Sequence, residues 1–192
     1  MSDPLILASK SPRRRELLGR CGVDFSVKTL PVTELESWEN IALLPQKNAE
    51  LKARAVARTE PGCWVLGADT MIIFRNRAIG KPETLPEAKE MLRSFSGTVH
   101  EVVTGLALIN ESCRISEVWS ESSLVKFKVL DEKTISTYLA QVEVMDKAGA
   151  YAIQEHGELI VESFTGELEN IIGLPLKNLL ALLKKYSIGG NI

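Results

Sequence analysis

The sequence predicts an α/β fold built on a mixed sheet, on three observations. Strand-like and helix-like segments are intermixed along most of the chain. The run CWVLGADTMIIF is apolar almost throughout, as a strand buried on both faces is. Hairpin-like pairs also occur, which favours a mixed sheet with flanking helices over a purely parallel one. A chain of 192 residues suffices for one sizeable core or two small lobes that share one. With no repeat, low-complexity segment or obvious linker, residues 1–192 read as a single compact domain.

The elements follow in order. Leu5 to Ala8 form a short apolar strand, and Ser9 to Ser11 a polar turn. Ser11 suits an N-cap and Pro12 the first helical position, where its missing N–H costs nothing. Leu17, Leu18 and Cys21 give that helix its inward face, Gly22 stops it, and Val23 to Val27 return as strand. A second helix covers Gln46 to Ala57, with Ala49, Lys52, Ala53 and Val56 on one stripe, so Lys52 interrupts an apolar face. The apolar strand CWVLGADTMIIF turns through Arg75-Asn76-Arg77 into AIGKP. Thr84 and Glu87 form a capping-box pattern for a helix burying Ala88, Met91, Leu92 and Phe95, closed by Gly97. Val99 to Ile109 and Val118 to Val129 read as longer strands. Asp131 caps a helix carrying Ile135, Tyr138 and Leu139. MDKAGAYAIQEHG reads as a loop entering a short strand, LIVESF as another strand, and the stretch from about Pro175 as a final helix with Leu176, Leu179, Leu180, Leu183 and Tyr186.

Composition narrows the function classes. Apolar residues make up 45% and charged residues 25%, with a net charge of −2, as in an ordinary globular domain. That balance gives no support for broad capture of nucleic acid or anionic lipid, so neither nucleic acid nor membrane is an expected partner. No apolar run approaches the roughly 20 residues that span a bilayer, and MSDPLILASKSP does not read as a signal peptide. Cys21, Cys63 and Cys113 share no CxxC spacing and read as reduced thiols of a cytoplasmic protein. His100 and His156 supply a histidine metal centre or a Ser/His/Asp triad poorly, and both read as structural or surface residues.

The informative residues are charges where packing disfavours them. Arg13 and Arg14 sit one turn before Leu17 and Leu18, at the leading tip of the buried stripe, whereas Arg15 lies on the outer face. A helix start is already electropositive. The arginines there either hold an anion together with the Ser9-Lys10-Ser11 turn or form a surface run paired with carboxylates such as Glu16. Asp69, inside an apolar strand, needs compensation. A divalent metal, a cation at 13, 14, 52 or 81, backbone N–H groups at a strand end, or a role as proton acceptor would each supply it. Lys52 and Lys81 with the two arginines would put four cations around one acid, which suits a polyphosphate with a metal. Gln154 carries an amide that can donate and accept, as the imide edge of uracil or thymine requires.

Together these segments resemble the Maf family of nucleoside triphosphate pyrophosphatases. The matching stretches are LILASKSPRRRELL, Glu34, the KA of AELKARAV, VLGADTMI, IGKP, Ser96-Gly97, DKAGAYAIQ and IIGLPL, in the family's order from Leu5 to Leu176. The resemblance implies a fold similar to inosine-triphosphate pyrophosphatase, with two lobes around a deep cleft. It implies hydrolysis of a nucleoside triphosphate to monophosphate and pyrophosphate with a divalent metal cation, Mg²⁺ or Mn²⁺. It places functional positions at Ser9, Arg13, Arg14, Glu34, Lys52, Asp69, Lys81 and Gln154, with Asp69 as catalytic proton acceptor. On the residues themselves, Ser9, Arg13, Arg14, Lys52 and Lys81 surround the phosphates, Asp69 and Glu34 hold the metal, and Asp69 is either metal ligand or base for the attacking water. Arg13, Thr70 and Gln154 stand at the three positions that sort the family's substrate branches, and here they resemble the dTTP/UTP branch. The family pattern has an acid where this chain has Thr33, and glycines where it has Ala152 and Glu155. The family further suggests a homodimer and a role in nucleotide-pool cleansing or cell-division arrest. The alternative is a nucleotide-binding regulator of septum formation that acts through a protein partner without needing hydrolysis.

Overall fold

The computed structural model describes residues 4–189. Leu5, Ile6 and Leu7, all buried, make β1 (Leu5–Leu7). Pro12 opens α1 (Pro12–Arg20), and Ser11 stands at the N-cap in extended conformation without its side chain capping the helix. Gly22, at φ 69°, turns the chain toward β2 (Phe25–Val27). A single 3₁₀ turn leads into α2 (Leu44–Ala57), which starts two residues before the predicted Gln46 because Pro45 is tolerated in a first helical turn. β3 (Trp64–Phe74) is the predicted apolar strand. Arg75 and Asn76 both have positive φ, as a two-residue hairpin turn requires, and join it to β4 (Arg77–Ile79).

Thr84 caps α3 (Leu85–Phe95) by accepting from the Glu87 N–H. β5 (Val99–Asn110) and β6 (Ile115–Phe127) are the two long strands, and Asp131 caps α4 (Glu132–Gln141) through the Thr134 N–H at 2.7 Å. Two predicted strands are corrected here. The short strand expected in MDKAGAYAIQEHG does not form, residues 151–156 being coil and turn. Within LIVESF, Leu159 and Ile160 close a one-turn helix, α5 (Gly157–Ile160), and the strand β7 (Val161–Thr165) begins only after it. A short α6 (Leu168–Ile172) precedes α7 (Leu176–Lys185). Neither α5 nor α6 is long enough to display a helical period in sequence.

The seven strands lie in the order β2-β1-β3-β5-β6-β7, with β4 also paired to β3. β1 runs parallel to β2 and β3, while β3 with β4 and β6 with β7 are antiparallel, so the sheet is mixed as predicted. The chain divides into two compact units. The first takes the chain up to Thr70, Thr104–Glu121 and the segment from Gly173; the second takes Met71–Val103 and Ser122–Ile172. Among the described residues no helix is long and apolar enough to cross a membrane.

In the first unit, Ala49, Ala53, Val56 and Ala57 of α2 pack with Ile6, Val65, Ala107 and Ile109 of the strands and with Ala8 just after β1. The approach is close because β3 offers Gly67 there. A Cβ at that position would overlap the Ala49 carbonyl oxygen and lie 2.9 Å from the Ala53 Cβ.

The second unit packs α3 and α4 over Ile72, Phe74, Val102, Val125 and Phe127. His100 lies in this core, its ring centroid 4.5 Å from that of Phe95 and 5.1 Å from that of Phe127. Its Nε2 is 2.7 Å from the Tyr151 hydroxyl, and its buried Nδ1 has no hydrogen-bond partner. Burial therefore pushes the imidazole down to about 4 from 6.5. An unfolded chain takes up this proton near its ordinary pKa and the folded chain only near the lowered one. Stability present above pH 6.5 is thus lost as pH falls toward 4, on the order of 3 kcal/mol in full. Melting temperatures measured from about pH 7.5 to 4.5 should fall more steeply for the wild type than for His100→Gln.

Candidate active site

Strand alternation puts Asp69 on the same face of β3 as Gly67, the face against which α2 lies. Helical spacing puts Lys52 on the stripe of Ala49, Ala53 and Val56. The small-residue contact therefore carries Lys52 to Asp69, and its Nζ stands 2.7 Å from Oδ1. Both side chains are largely shielded, at 18% and 13% exposure. Glu34, on the loop between β2 and α2, brings Oε2 to 2.8 Å from the same Nζ and is half exposed. Asn48, buried one turn before Lys52, holds that loop: Leu35 N–H donates to its Oδ1 at 2.7 Å, and its Nδ2 donates to the Leu35 carbonyl at 3.0 Å.

The arginine run divides by burial. Arg13 and Arg14 are half-buried and Arg15 is exposed. The Arg14 guanidinium is tied to the chain on either side of Asp69. Its Nη1 donates to the Ala68 carbonyl at 2.9 Å and to Ser9 Oγ at 3.0 Å. Its Nη2 donates to Thr70 Oγ1 at 2.9 Å and its Nε to the Gly173 carbonyl at 2.9 Å. Burial pulls this guanidinium below its ordinary range, and the Asp69 charge opposes that pull. Ser9 Oγ accepts a second bond, from the Ser11 N–H at 3.3 Å, so both its bonds are accepted and the hydroxyl keeps its capacity as a donor. Thr104, fully buried on β5, places Oγ1 3.0 Å from Thr70 Oγ1.

Lys81 and Gln154 belong to the second unit. Lys81 is exposed after β4, in a loop fixed by the Gly149 N–H, which donates to the Gly80 carbonyl at 2.9 Å. Gln154 is exposed on a turn whose flanks are held. The Tyr138 hydroxyl accepts from the Ala152 N–H at 3.0 Å and donates to the Ala152 carbonyl at 3.3 Å. Lys147, buried, stands 3.4 Å from Glu155 and 2.9 Å from Asp146.

Direct contacts thus form two groups within the first unit, Ser9, Arg14 and Thr70 in one and Glu34, Lys52 and Asp69 in the other, and the chain joins them where Thr70 follows Asp69. Four polar or backbone supports escaped the sequence reading: Asn48, Thr104, Lys147 and Gly173. Asn48 alone carried a signal, since an asparagine inside a helix is a poor former and implies a specific partner.

Two carboxylates converge on one ammonium, so their nearest oxygens lie no more than about 5.5 Å apart. Hard oxygen donors in this number suit Mg²⁺ or Mn²⁺ when substrate phosphates complete the shell. Among the described residues no group of three or more His, Cys, Asp or Glu side chains could hold a metal ion alone.

In fold the chain is similar to the Ham1 protein of Staphylococcus aureus, with a TM-score of 0.56 and 14% identity over 95% of this chain and 99% of that one. That likeness defines the class, an α/β protein on a mixed sheet. The Maf-like protein family matches residues 4–186, and the chain belongs to this family. The dTTP/UTP pyrophosphatase of Akkermansia muciniphila is 43% identical over 188 residues, covering 95% of this chain and 96% of that protein. The dTTP/UTP pyrophosphatases of Pyrococcus horikoshii and Bacillus cytotoxicus are 39% and 40% identical over similar lengths.

Gly173 closes the arrangement. Its φ is +122°, and a Cβ there would stand 3.1 Å from Thr70 Oγ1 and 3.6 Å from Arg14 Nε. Gly173→Ala should therefore cost about 1–3 kcal/mol of backbone strain, read as a lowered denaturant midpoint, and should reduce turnover more than the surface change Lys177→Ala.

Proposed function

We propose that this protein hydrolyses dTTP and UTP to the monophosphate and pyrophosphate. The observation that carries the reading is the Asp69 carboxylate, set in an apolar strand and paired with Lys52 at 2.7 Å. Whole-length similarity to proteins named dTTP/UTP pyrophosphatase supports the same activity and favours hydrolysis over the regulator alternative.

Arg13, Lys52 and Lys81 hold the triphosphate and neutralise charge that builds on the departing pyrophosphate. The Ser9 hydroxyl donates to a phosphate oxygen. Asp69 accepts a proton from the water that attacks the α-phosphorus: the new P–O bond forms as the bond to the bridging α,β-oxygen breaks, and the electron pair leaves with pyrophosphate. Asp69 and Glu34 would hold Mg²⁺ or Mn²⁺, which supplies charge neutralisation at phosphate oxygens and a water of lowered pKa. Gln154, through an amide that donates and accepts, reads the imide edge of thymine or uracil, with Arg13 and Thr70 completing the branch pattern. The family resemblance suggests that the chain acts as a single domain in a homodimer.

Pyrophosphate release should be measured for dTTP, UTP, CTP, dCTP, ATP and GTP with Mg²⁺ or Mn²⁺. The expected result is turnover of dTTP and UTP at least about tenfold above the purine nucleotides, which is within reach of one lost hydrogen-bond pair; equal rates across the panel would sink the specificity. Asp69→Asn should lower kcat by a factor on the order of 10² or more, and near-normal turnover would exclude Asp69 as the proton acceptor.

A further inference from the structure

We infer that Arg14 is a positioning residue that aims the Asp69 carboxylate and does not bind the phosphates. The inference rests on the hydrolysis proposed above, and it departs from the phosphate role that the sequence reading gives this arginine.

Four of the five guanidinium N–H donors are committed to protein acceptors. Two of those acceptors bracket Asp69 in sequence: the Ala68 carbonyl before it and the Thr70 hydroxyl after it. A third is Ser9, on the turn before α1, and the fourth is the Gly173 carbonyl, 159 residues along the chain. A bidentate grip on phosphate needs two parallel N–H groups, and only one remains on Nη2. To bind phosphate in that way, Arg14 would have to release one of these four acceptors. The half-buried cation still serves Asp69, since the two charges attract.

The lattice continues outward from Arg14. Thr70 Oγ1, which receives Nη2, also meets Thr104 Oγ1 at 3.0 Å. The absence of a side chain at Gly173 lets its carbonyl reach Nε without displacing Thr70. Asp69 thus has Lys52 at its carboxylate and a hydrogen-bonded frame fixing the backbone on both sides. Misplacing a catalytic group by about 1 Å can cost on the order of 10² in rate while leaving substrate binding intact. A lost phosphate contact would instead weaken ground-state binding.

The test compares Arg14→Gln with Lys52→Gln. Steady-state kinetics with dTTP gives kcat and KM, and calorimetry gives the affinity for inorganic tripolyphosphate. Arg14→Gln should lower kcat about 10- to 100-fold while KM and the tripolyphosphate Kd stay within about threefold of wild type. Lys52→Gln should weaken tripolyphosphate about tenfold or more. Arg14→Lys keeps the charge but cannot reach four acceptors, so its kcat should fall almost as far; it replaces Arg14→Gln as the reporter should the latter fail to fold. Thr104→Val, which removes a hydroxyl partner of Thr70 and no charge, should lower kcat part of the way with KM unchanged. Tripolyphosphate affinity lost in Arg14→Gln as severely as in Lys52→Gln, with kcat preserved, would overturn the inference. Were the wild type to bind tripolyphosphate yet turn over neither dTTP nor UTP, the hydrolysis proposal would fail. The affinity comparison would still decide against a phosphate role for Arg14 if retained, or for it if lost.

Discussion

The distance at which α2 rests on β3 governs the candidate site. Gly67 on the strand and Ala49 and Ala53 on the helix let the two backbones approach with no side chain between them. At that separation a lysine on the same helical stripe reaches a carboxylate two residues along the strand. A charged pair with little water around it is stable only with short contacts and few unmet donors or acceptors, and the geometry supplies both. Asn48 extends the same helix face to the loop of Glu34, so one helix presents Lys52, aligns it with Asp69 and anchors a second acid.

The clustered arginines at the start of α1 looked electrostatically unfavourable, since a helix start is already positive. The structure gives the three side chains different surroundings. Arg15 goes to solvent, where its charge is screened. Arg14 turns inward and is neutralised by Asp69 and by the oxygens of four residues, an arrangement that suits the planar fork of arginine and that lysine could not copy. Arg13 stays half-buried at the helix tip. Adjacency in sequence did not imply a shared task.

Much of this was legible before any coordinates. The mixed sheet, the long apolar strand, the hairpin at Arg75-Asn76 and the capped helices at Thr84 and Asp131 follow from period and punctuation. Asp69 and Lys52 announced themselves as charges on apolar surfaces, a local conflict that sequence exposes directly. What stayed hidden depends on distance in the chain. Thr104 and Gly173 meet Thr70 and Arg14 from remote segments, and nothing in VVTGLAL or IIGLP marks one hydroxyl or one carbonyl as an acceptor. Lys147 gave no signal in its loop, since its pairing with Glu155 forms only once the chain folds back. The one-turn helix before β7 was missed for a simpler reason: Leu159 and Ile160 are as apolar as the strand that follows.

The Gly173 carbonyl has a bearing on how the protein is made. One arginine near the amino end waits for an oxygen that the ribosome adds 159 residues later, and closing so wide a loop is slow and entropically costly. The frame around the acid therefore stays open until the segment carrying Gly173 has been made, and a translation product that stops before it would lack the carbonyl that Arg14 Nε needs.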